Sequence, residues 1–174
     1  TGVKIVGVEP NEEACVTELD SLVAEGAYFE GISRNPVLLG KRLSEKLKVN
    51  VRSKVVLTFQ DIDGNITAGS FRVAGILDAS STVIDEGSAF VVREDLNRLL
   101  GIEDGVHEIA YTTAPGTEDD LLAAEIQAAF PGEMVRSWRE LAPLLLFMEQ
   151  WMGAVLQVLI LIIMLALAFG IINT

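Results

Sequence analysis

The sequence has little of the chemistry that metal sites, disulfides and hydrolytic enzymes require. It contains one cysteine, Cys15, and one histidine, His107. A single cysteine forms no internal disulfide, and the pair cannot supply a zinc site of Cys and His ligands. The G-x-S-x-G and G-x-x-x-x-G-K-[ST] motifs are also missing. We therefore predict no catalytic, cofactor-binding or metal-binding residue, and interpret Cys15 as a helix-surface residue and His107 as a structural residue on a strand.

Positive charge is the minority: 13 Lys and Arg stand against 25 Asp and Glu, which gives a net charge of −12. Nucleic-acid binding depends on neutralising phosphates with Lys and Arg. The charge therefore excludes nucleic acid as a partner. All of it lies before Trp151, so it belongs to the first part of the chain.

Charge is absent from the C-terminal stretch, residues 151–174. Within residues 152–172 the residues outside the apolar class are Gly153, Gln157 and Gly170. Twenty-one residues of helix are about 30 Å long, which matches the hydrocarbon core of a bilayer. The sequence therefore predicts one transmembrane helix and a lipid bilayer as its surroundings.

Residues beside and within this helix predict how it is held. Phe147 and Trp151 precede the span, where aromatic residues favour the headgroup region, so we expect them at the membrane interface. Gln157 is polar enough to favour a protein neighbour, and Gly153 and Gly170 allow close approach. These three residues predict helix packing in a bundle.

The pattern of the first part is typical of an α+β domain in two lobes. Its N-terminal half predicts a strand at residues 3–8, a helix from Pro10 to Gly26, a helix from Pro36 and a hairpin over residues 54–77. Its second half predicts a polar loop at residues 78–88, strands at residues 89–92, 107–112 and 133–136, and helices through Leu100 and over residues 117–130, the latter capped by Thr117 and Asp120.

The S-x-x-E pattern of Ser137 and Glu140 predicts a capping box for a further helix, which Pro143 either kinks or replaces with a new one. A helix over residues 143–172 would be about 45 Å long, longer than the hydrocarbon core. We therefore divide the chain into an α+β domain, 1–142, and a stiff stalk with its transmembrane helix, 143–174.

Two exposed segments are candidate partner contacts, because loops on a rigid scaffold often carry binding. The first is the polar loop, with Asp85 and Glu86. The second is the hairpin tip, with Asp63. Asp61, Asp63 and Asn65 have the wrong spacing around Gly64 for an EF-hand calcium loop, so we interpret them as a turn.

The order of these segments resembles the extracytoplasmic domain of FtsX-like ABC transporter permeases, the lipoprotein-releasing and macrolide-exporter group. The resemblance covers most of the chain and departs at residues 50–53, where the family usually has a glycine-containing turn. The similar segments are IVGVEP (5–10), PVLLGKRLSEKLKV (36–49), VVLTFQDIDGN (55–65), FRVAGIL (71–77), DLNRLLGI (95–102), VHEIA (106–110), SWRELAP (137–143) and FGIINT (169–174).

The resemblance implies a permease with four membrane helices, of which this chain holds the large domain and the second helix. It implies an inner (plasma) membrane location with residues 1–150 on the extracytoplasmic side. The implied partners are an ABC ATPase subunit that binds ATP and Mg, a second permease subunit in a homo- or heterodimer, and an envelope chaperone or lipoprotein. ATP hydrolysis would move the outer domain in lipoprotein release or efflux.

Two other interpretations stay open. In the first, an FtsX-like complex regulates a cell-wall hydrolase or a sensor kinase instead of transporting a substrate. In the second, the chain is a membrane-tethered enzyme or ligand-binding domain unrelated to ABC systems. A parent protein with a single membrane helix would favour the second.

Overall fold

The computed structural model describes residues 2–79 and 81–172 and shows a mixed α+β chain with one β-sheet. The chain divides into two compact units, unit 1 (Thr1–Thr112) and unit 2 (Thr113–Thr174). The long C-terminal helix begins at Pro143, where we placed a domain boundary. That boundary stays a prediction, and each unit is described separately.

Unit 1 alternates strands with short helices. In chain order its elements are β1 (Lys4–Val8), α1 (Pro10–Thr17), a 3-10 helix (Leu19–Leu22), β2 (Val23–Gly26), β3 (Pro36–Gly40), α2 (Lys41–Leu47), β4 (Lys54–Gln60), β5 (Ile66–Leu77), α3 (Thr82–Gly87), β6 (Ser88–Val92) and α4 (Arg93–Leu100).

The sheet has the strand order β1-β6-β3-β5-β2, with β4 paired to β5. β1 runs parallel to β6 and β3 parallel to β5, whereas β6–β3, β5–β2 and β4–β5 are antiparallel. β4 and β5 form the predicted hairpin, with register from Lys54 opposite Arg72 to Gln60 opposite Ile66. The hairpin prediction is confirmed.

The core lies on both faces of the sheet around β3, all five residues of which are buried. Val37 and Leu39 belong to one hydrophobic cluster and Leu38 to the other, because successive side chains of a strand point to opposite faces. Phe71 of β5 is the largest side chain in the first cluster. A strand covered on both faces has a continuous apolar run, and β3 has one.

The structure corrects two predictions in the N-terminal half. The helix expected from Pro36 begins only at Lys41, because residues 36–40 form the central strand. The helix expected to continue to Gly26 ends at Thr17, where Glu18 takes a left-handed conformation (φ 53°). Gly26 instead ends β2, and its φ of 84° and the Ala74 carbonyl beside it favour glycine there.

Three predictions are wrong further along. The polar loop at residues 78–88 contains α3, which packs over β3 and β6. Residues 107–112 and 133–136 are irregular instead of strands, and His107 is exposed. Alternating apolar and polar residues favour a strand, but a strand also needs a neighbouring strand to pair with. Among the described residues, neither segment has such a partner. The strand β6 and the helix α4 are confirmed.

Unit 2 is helical. Its elements are α5 (Asp119–Ala129), α6 (Trp138–Leu141) and α7 (Pro143–Ile172), a helix of 30 residues. Pro143 starts α7 and does not kink it, because the residue before a proline is driven out of the helical conformation; Ala142 has φ −128° and ψ 62°. The continuous helix predicted over residues 143–172 is confirmed.

Candidate functional site

The apolar part of α7 is the most distinctive surface of the chain. Residues Trp151–Phe169 form a stretch of 19 residues, long and apolar enough to cross a membrane, and none of it is buried in the described structure. A core helix of a soluble protein would be mostly buried. The stretch therefore has the length and the apolar composition of a membrane span, and it is exposed where a soluble core helix would be covered.

The residues predicted to hold the span lie in α7. The rings of Phe147 and Trp151 lie one turn apart with centroids separated by 5.6 Å, and both side chains are exposed. Gly153 has open space around it and Gln157 is exposed, within the part of the chain that the structure describes. The surroundings of Gly170 lie outside the described residues. Interface anchoring and helix packing stay predictions.

A polar cluster joins α5 to the segment that leads into α7, and we call it the stalk-base cluster. It consists of Thr113, Asp119, Asp120, Ser137, Trp138 and Arg139.

Asp119, in the first turn of α5, is the centre of this cluster. Its Oδ1 accepts a hydrogen bond from the Thr113 hydroxyl at 2.8 Å, and its Oδ2 accepts one from the Trp138 indole at 2.8 Å. These two bonds, with a smaller contribution from the positive charge of Arg139, lower the pKa of Asp119. A carboxylate at a helix N-terminus is also favoured by the helix dipole.

Asp120 makes the second set of contacts. It accepts a hydrogen bond from the Ser137 hydroxyl at 2.7 Å, and Arg139 lies 3.7 Å from its other oxygen. Ser137, the residue before the short helix α6, is buried. Neighbouring carboxylates of α5 therefore hold three consecutive residues, 137–139, at the start of the stalk.

One residue, Ala142, separates the short helix α6 from α7. The backbone N–H of Ala142 donates to the Trp138 carbonyl at 2.8 Å, and the N–H of Leu145 donates to the Ala142 carbonyl at 3.0 Å. The first bond closes the end of α6 and the second begins α7, so the two helices follow each other with only Ala142 between them.

Gln127 secures the chain between α5 and α6. Its side-chain amide donates to the Glu133 carbonyl at 2.8 Å and accepts from the Val135 N–H at 3.0 Å. These bonds replace the sheet hydrogen bonds that a strand at residues 133–136 would have made. Residues 133–135 are therefore attached to α5, the helix that also carries Asp119 and Asp120 of the stalk-base cluster.

Sequence reasoning predicted two helix caps in this region but neither the cluster nor its bonds. Ser137 is the residue before α6, as predicted, yet its hydroxyl donates to Asp120 and does not form the capping box with Glu140. The predicted cap by Thr117 is also wrong, because Glu118 occupies that position. A sequence signal existed: two acidic residues at a helix start and a tryptophan whose indole requires an acceptor.

The candidate contact residues of α3 have different surroundings. Asp85 is 7% exposed, and its Oδ1 accepts the backbone N–H of Ala79 at 2.9 Å. Glu86 is exposed and pairs with Arg42 of α2 at 2.8 Å. The exposed loop that we expected here is thus a helix whose first carboxylate points inward. Partner contact at these residues stays a prediction.

The hairpin tip is an ordered turn. Asp61 accepts hydrogen bonds from the N–H groups of Asn65 at 2.8 Å and Asp63 at 3.0 Å. These bonds, the one from Asn65 first, lower the pKa of Asp61. Asp63 is exposed and available to a partner, and its contact with one stays a prediction.

No protein-family model matches the chain, and no curated protein matches it. Its function must therefore be inferred from the surface of α7 and from the stalk-base cluster.

Proposed function

We propose that this chain is the extracytoplasmic domain and second membrane helix of an ABC transporter permease of the lipoprotein-releasing or efflux type. In this proposal a separate ATPase subunit hydrolyses ATP on the cytoplasmic side. The permease passes the resulting movement to its outer domain. The chain itself performs no chemistry.

The observation that carries the proposal is the short connection, one residue long, from a membrane-length helix to a hydrogen-bonded base. α7 contains 30 residues, of which Trp151–Phe169 are apolar and exposed. Its first residue follows α6 by one position, and α6 begins in the stalk-base cluster. A tethered enzyme needs only an anchor, and a flexible linker would serve it.

The assignment to an ABC transporter permease is supported by the ordered segments that resemble FtsX-like permeases. The acidic first part of the chain supports an extracytoplasmic position, because the cytoplasmic leaflet is negatively charged and repels it. The exposed apolar surface of α7 supports neighbours in the bilayer, which the proposal supplies as further permease helices and lipid.

The first test is the complete parent sequence. We expect one membrane helix before residue 1 and two after residue 174. A parent protein whose single membrane helix is α7 would contradict the permease assignment.

The second test interrupts the connection in the full-length permease, purified with its ATPase and reconstituted in liposomes. Insertion of Gly-Gly-Ser-Gly between Ala142 and Pro143 should leave basal ATP hydrolysis intact and abolish substrate release, because a flexible tetrapeptide transmits no axial force. The control is the same insertion between Glu103 and Asp104, two exposed residues in a loop of unit 1 that belongs neither to the stalk nor to the candidate partner contacts. It should leave both activities in place.

Full substrate release by the Ala142–Pro143 insertion would contradict the proposal. A reconstituted complex that hydrolyses ATP, releases no substrate and activates an envelope hydrolase or kinase would instead place the chain in the regulatory branch of the family.

A further inference from the structure

Positive charge collects in one open cleft of a chain whose net charge is −12. The cleft lies in unit 1, where the loop before β3 meets β4 and β5, and has a volume of about 690 Å³. Arg34, Lys54 and Arg72 line it, and its described lining residues include no carboxylate. The lining therefore carries three positive charges and no negative one.

The backbone brings these three cations together. Asn35, next to Arg34, takes a left-handed conformation (φ 48°), and its side-chain amide donates to the Ser70 carbonyl at 2.9 Å. The Arg72 N–H in turn donates to the Asn35 carbonyl at 3.0 Å, and Lys54 lies opposite Arg72 in the hairpin. Hydrogen bonds of the sheet and its loop therefore hold the backbone of the three residues side by side.

The arrangement is unfavourable without a counter-charge. Like charges directly opposite each other on neighbouring strands are destabilising. Lys41 and Arg42 of α2 each pair with a carboxylate. Among the described residues, none of the three cleft cations forms such an ion pair. Arg72 Nη1 donates to the Arg52 carbonyl at 3.2 Å, which is a neutral oxygen. An anion from outside the chain would supply the missing counter-charge.

The lining also indicates which anion. Two guanidinium groups and one ammonium exceed the single charge of a carboxylate, and arginine forks match the oxygens of a phosphate. The hydroxyls of Ser33 and Ser70 add two donors.

We propose that this cleft, lined by Arg34, Lys54 and Arg72, binds a small phosphate ester. The cleft volume falls in the range of small-molecule sites, about 300–1,000 Å³, and is much larger than bare phosphate needs. The phosphate lies against the three cations, and the group esterified to it fills the rest of the cleft. Such an ester occurs both in soluble phosphorylated polyols and in glycerophospholipid headgroups.

The test uses the whole 174-residue chain, isotopically labelled, in maltoside micelles that contain no phosphate. Glycerol 3-phosphate should cause saturable shifts of the backbone amide resonances at residues 31–35 and 70–72. Glycerol is the uncharged probe and glycerate is the carboxylate of the same polyol. Dihexanoyl phosphatidylglycerol, used below its micelle concentration, presents the same phosphate as a lipid headgroup.

Matched variants distinguish binding at the cleft from non-specific electrostatic attraction of the anion to the chain. The double substitution Arg34→Gln with Arg72→Gln should weaken glycerol 3-phosphate binding by about tenfold for each cation lost. Lys46→Gln with Lys48→Gln removes the same charge from the exposed end of α2 and should leave binding unchanged. Arg34→Gln alone, at an exposed loop residue, gives a second variant that should weaken binding about tenfold if the double variant unfolds.

A response to the soluble ester alone identifies a soluble ligand, and a response to the lipid alone identifies a headgroup; each supports the site. Glycerate binding as tightly as glycerol 3-phosphate overturns the proposal. Equal weakening by the cleft variant and the α2 variant overturns it as well, as does the absence of saturable shifts with both phosphate probes.

Discussion

Alanine substitutions at Asp85 and Glu86 test whether the first carboxylate is structural and the second is only a surface residue. Asp85 and Glu86 are neighbours in α3, and sequence alone treats them alike. In the structure Asp85 is 7% exposed and accepts the N–H of Ala79, itself 4% exposed, at 2.9 Å. Asp85→Ala leaves that buried N–H without its acceptor.

The expected cost follows from the type of bond lost. A hydrogen bond to a charged group contributes about 1.5–3 kcal/mol, and a buried donor without a partner retains its desolvation cost. We therefore expect Asp85→Ala to lower the free energy of unfolding of unit 1 by about 2 kcal/mol. Asp85→Asn keeps an oxygen acceptor and should cost less than the alanine substitution.

Hydrogen exchange measured by mass spectrometry is the suitable assay, because it reports on unit 1 by itself, whereas both tryptophans and the longest helix, α7, lie in unit 2. Amides of β3, β5 and β6 that exchange only through unfolding of unit 1 report its stability. Their exchange rates should rise by about 10- to 150-fold in Asp85→Ala.

Glu86→Ala is the matched control. Its side chain is exposed, and its pair with Arg42 lies at the surface, where ion pairs contribute little to stability. Exchange in the core strands should change by less than about threefold. Equal effects of Asp85→Ala and Glu86→Ala would refute the structural role of Asp85.

Three further predictions concern packing, pH and the membrane. Gly40→Ala should destabilise unit 1 by at least about 2 kcal/mol in the same exchange assay, because the added Cβ would lie 2.4 Å from the backbone of α3; Gly87→Ala, with open space in the described structure, should not. The pKa of Asp119 is lowered, so its contribution to the stalk-base cluster is complete above the ordinary value of 3.8 and is lost as the pH falls through the folded-state pKa. The indole N–H resonance of Trp138 should therefore titrate with a midpoint below 3.8, and a midpoint at or above it would contradict the hydrogen bond. In a Trp138→Phe background, Trp151 fluorescence in bilayers should be quenched more by lipids brominated near the headgroup than by lipids brominated near the chain end; the opposite order would contradict an interface position.

Two kinds of element could be predicted from local sequence. The hairpin was predictable because its turn residues and flanking strands are adjacent in the chain, so that register depends on Asp61 to Asn65 alone. The helix α7 was predictable because the 30 residues from Pro143 contain no further proline and its apolar part is long.

Other elements depended on distant partners. Residues 36–40 have the leucine spacing of a helix, yet they form β3 because β5 and β6 pair with them and both faces are covered. Residues 107–112 have the alternation of a strand and stay irregular. Propensity is weak beside burial and pairing, so short apolar runs are ambiguous until the sheet order is known.

The functional residues divide in the same way. The sequence by itself determined that the chain is acidic, has no catalytic motif and ends in an uncharged membrane-length helix, because composition and length are local properties. Only the tertiary structure decided that Asp85 is buried, that Asp119 and Asp120 hold residues 137–139, and that Arg34, Lys54 and Arg72 share a cleft. Each of these depends on contacts between residues far apart in the chain, which no local pattern encodes.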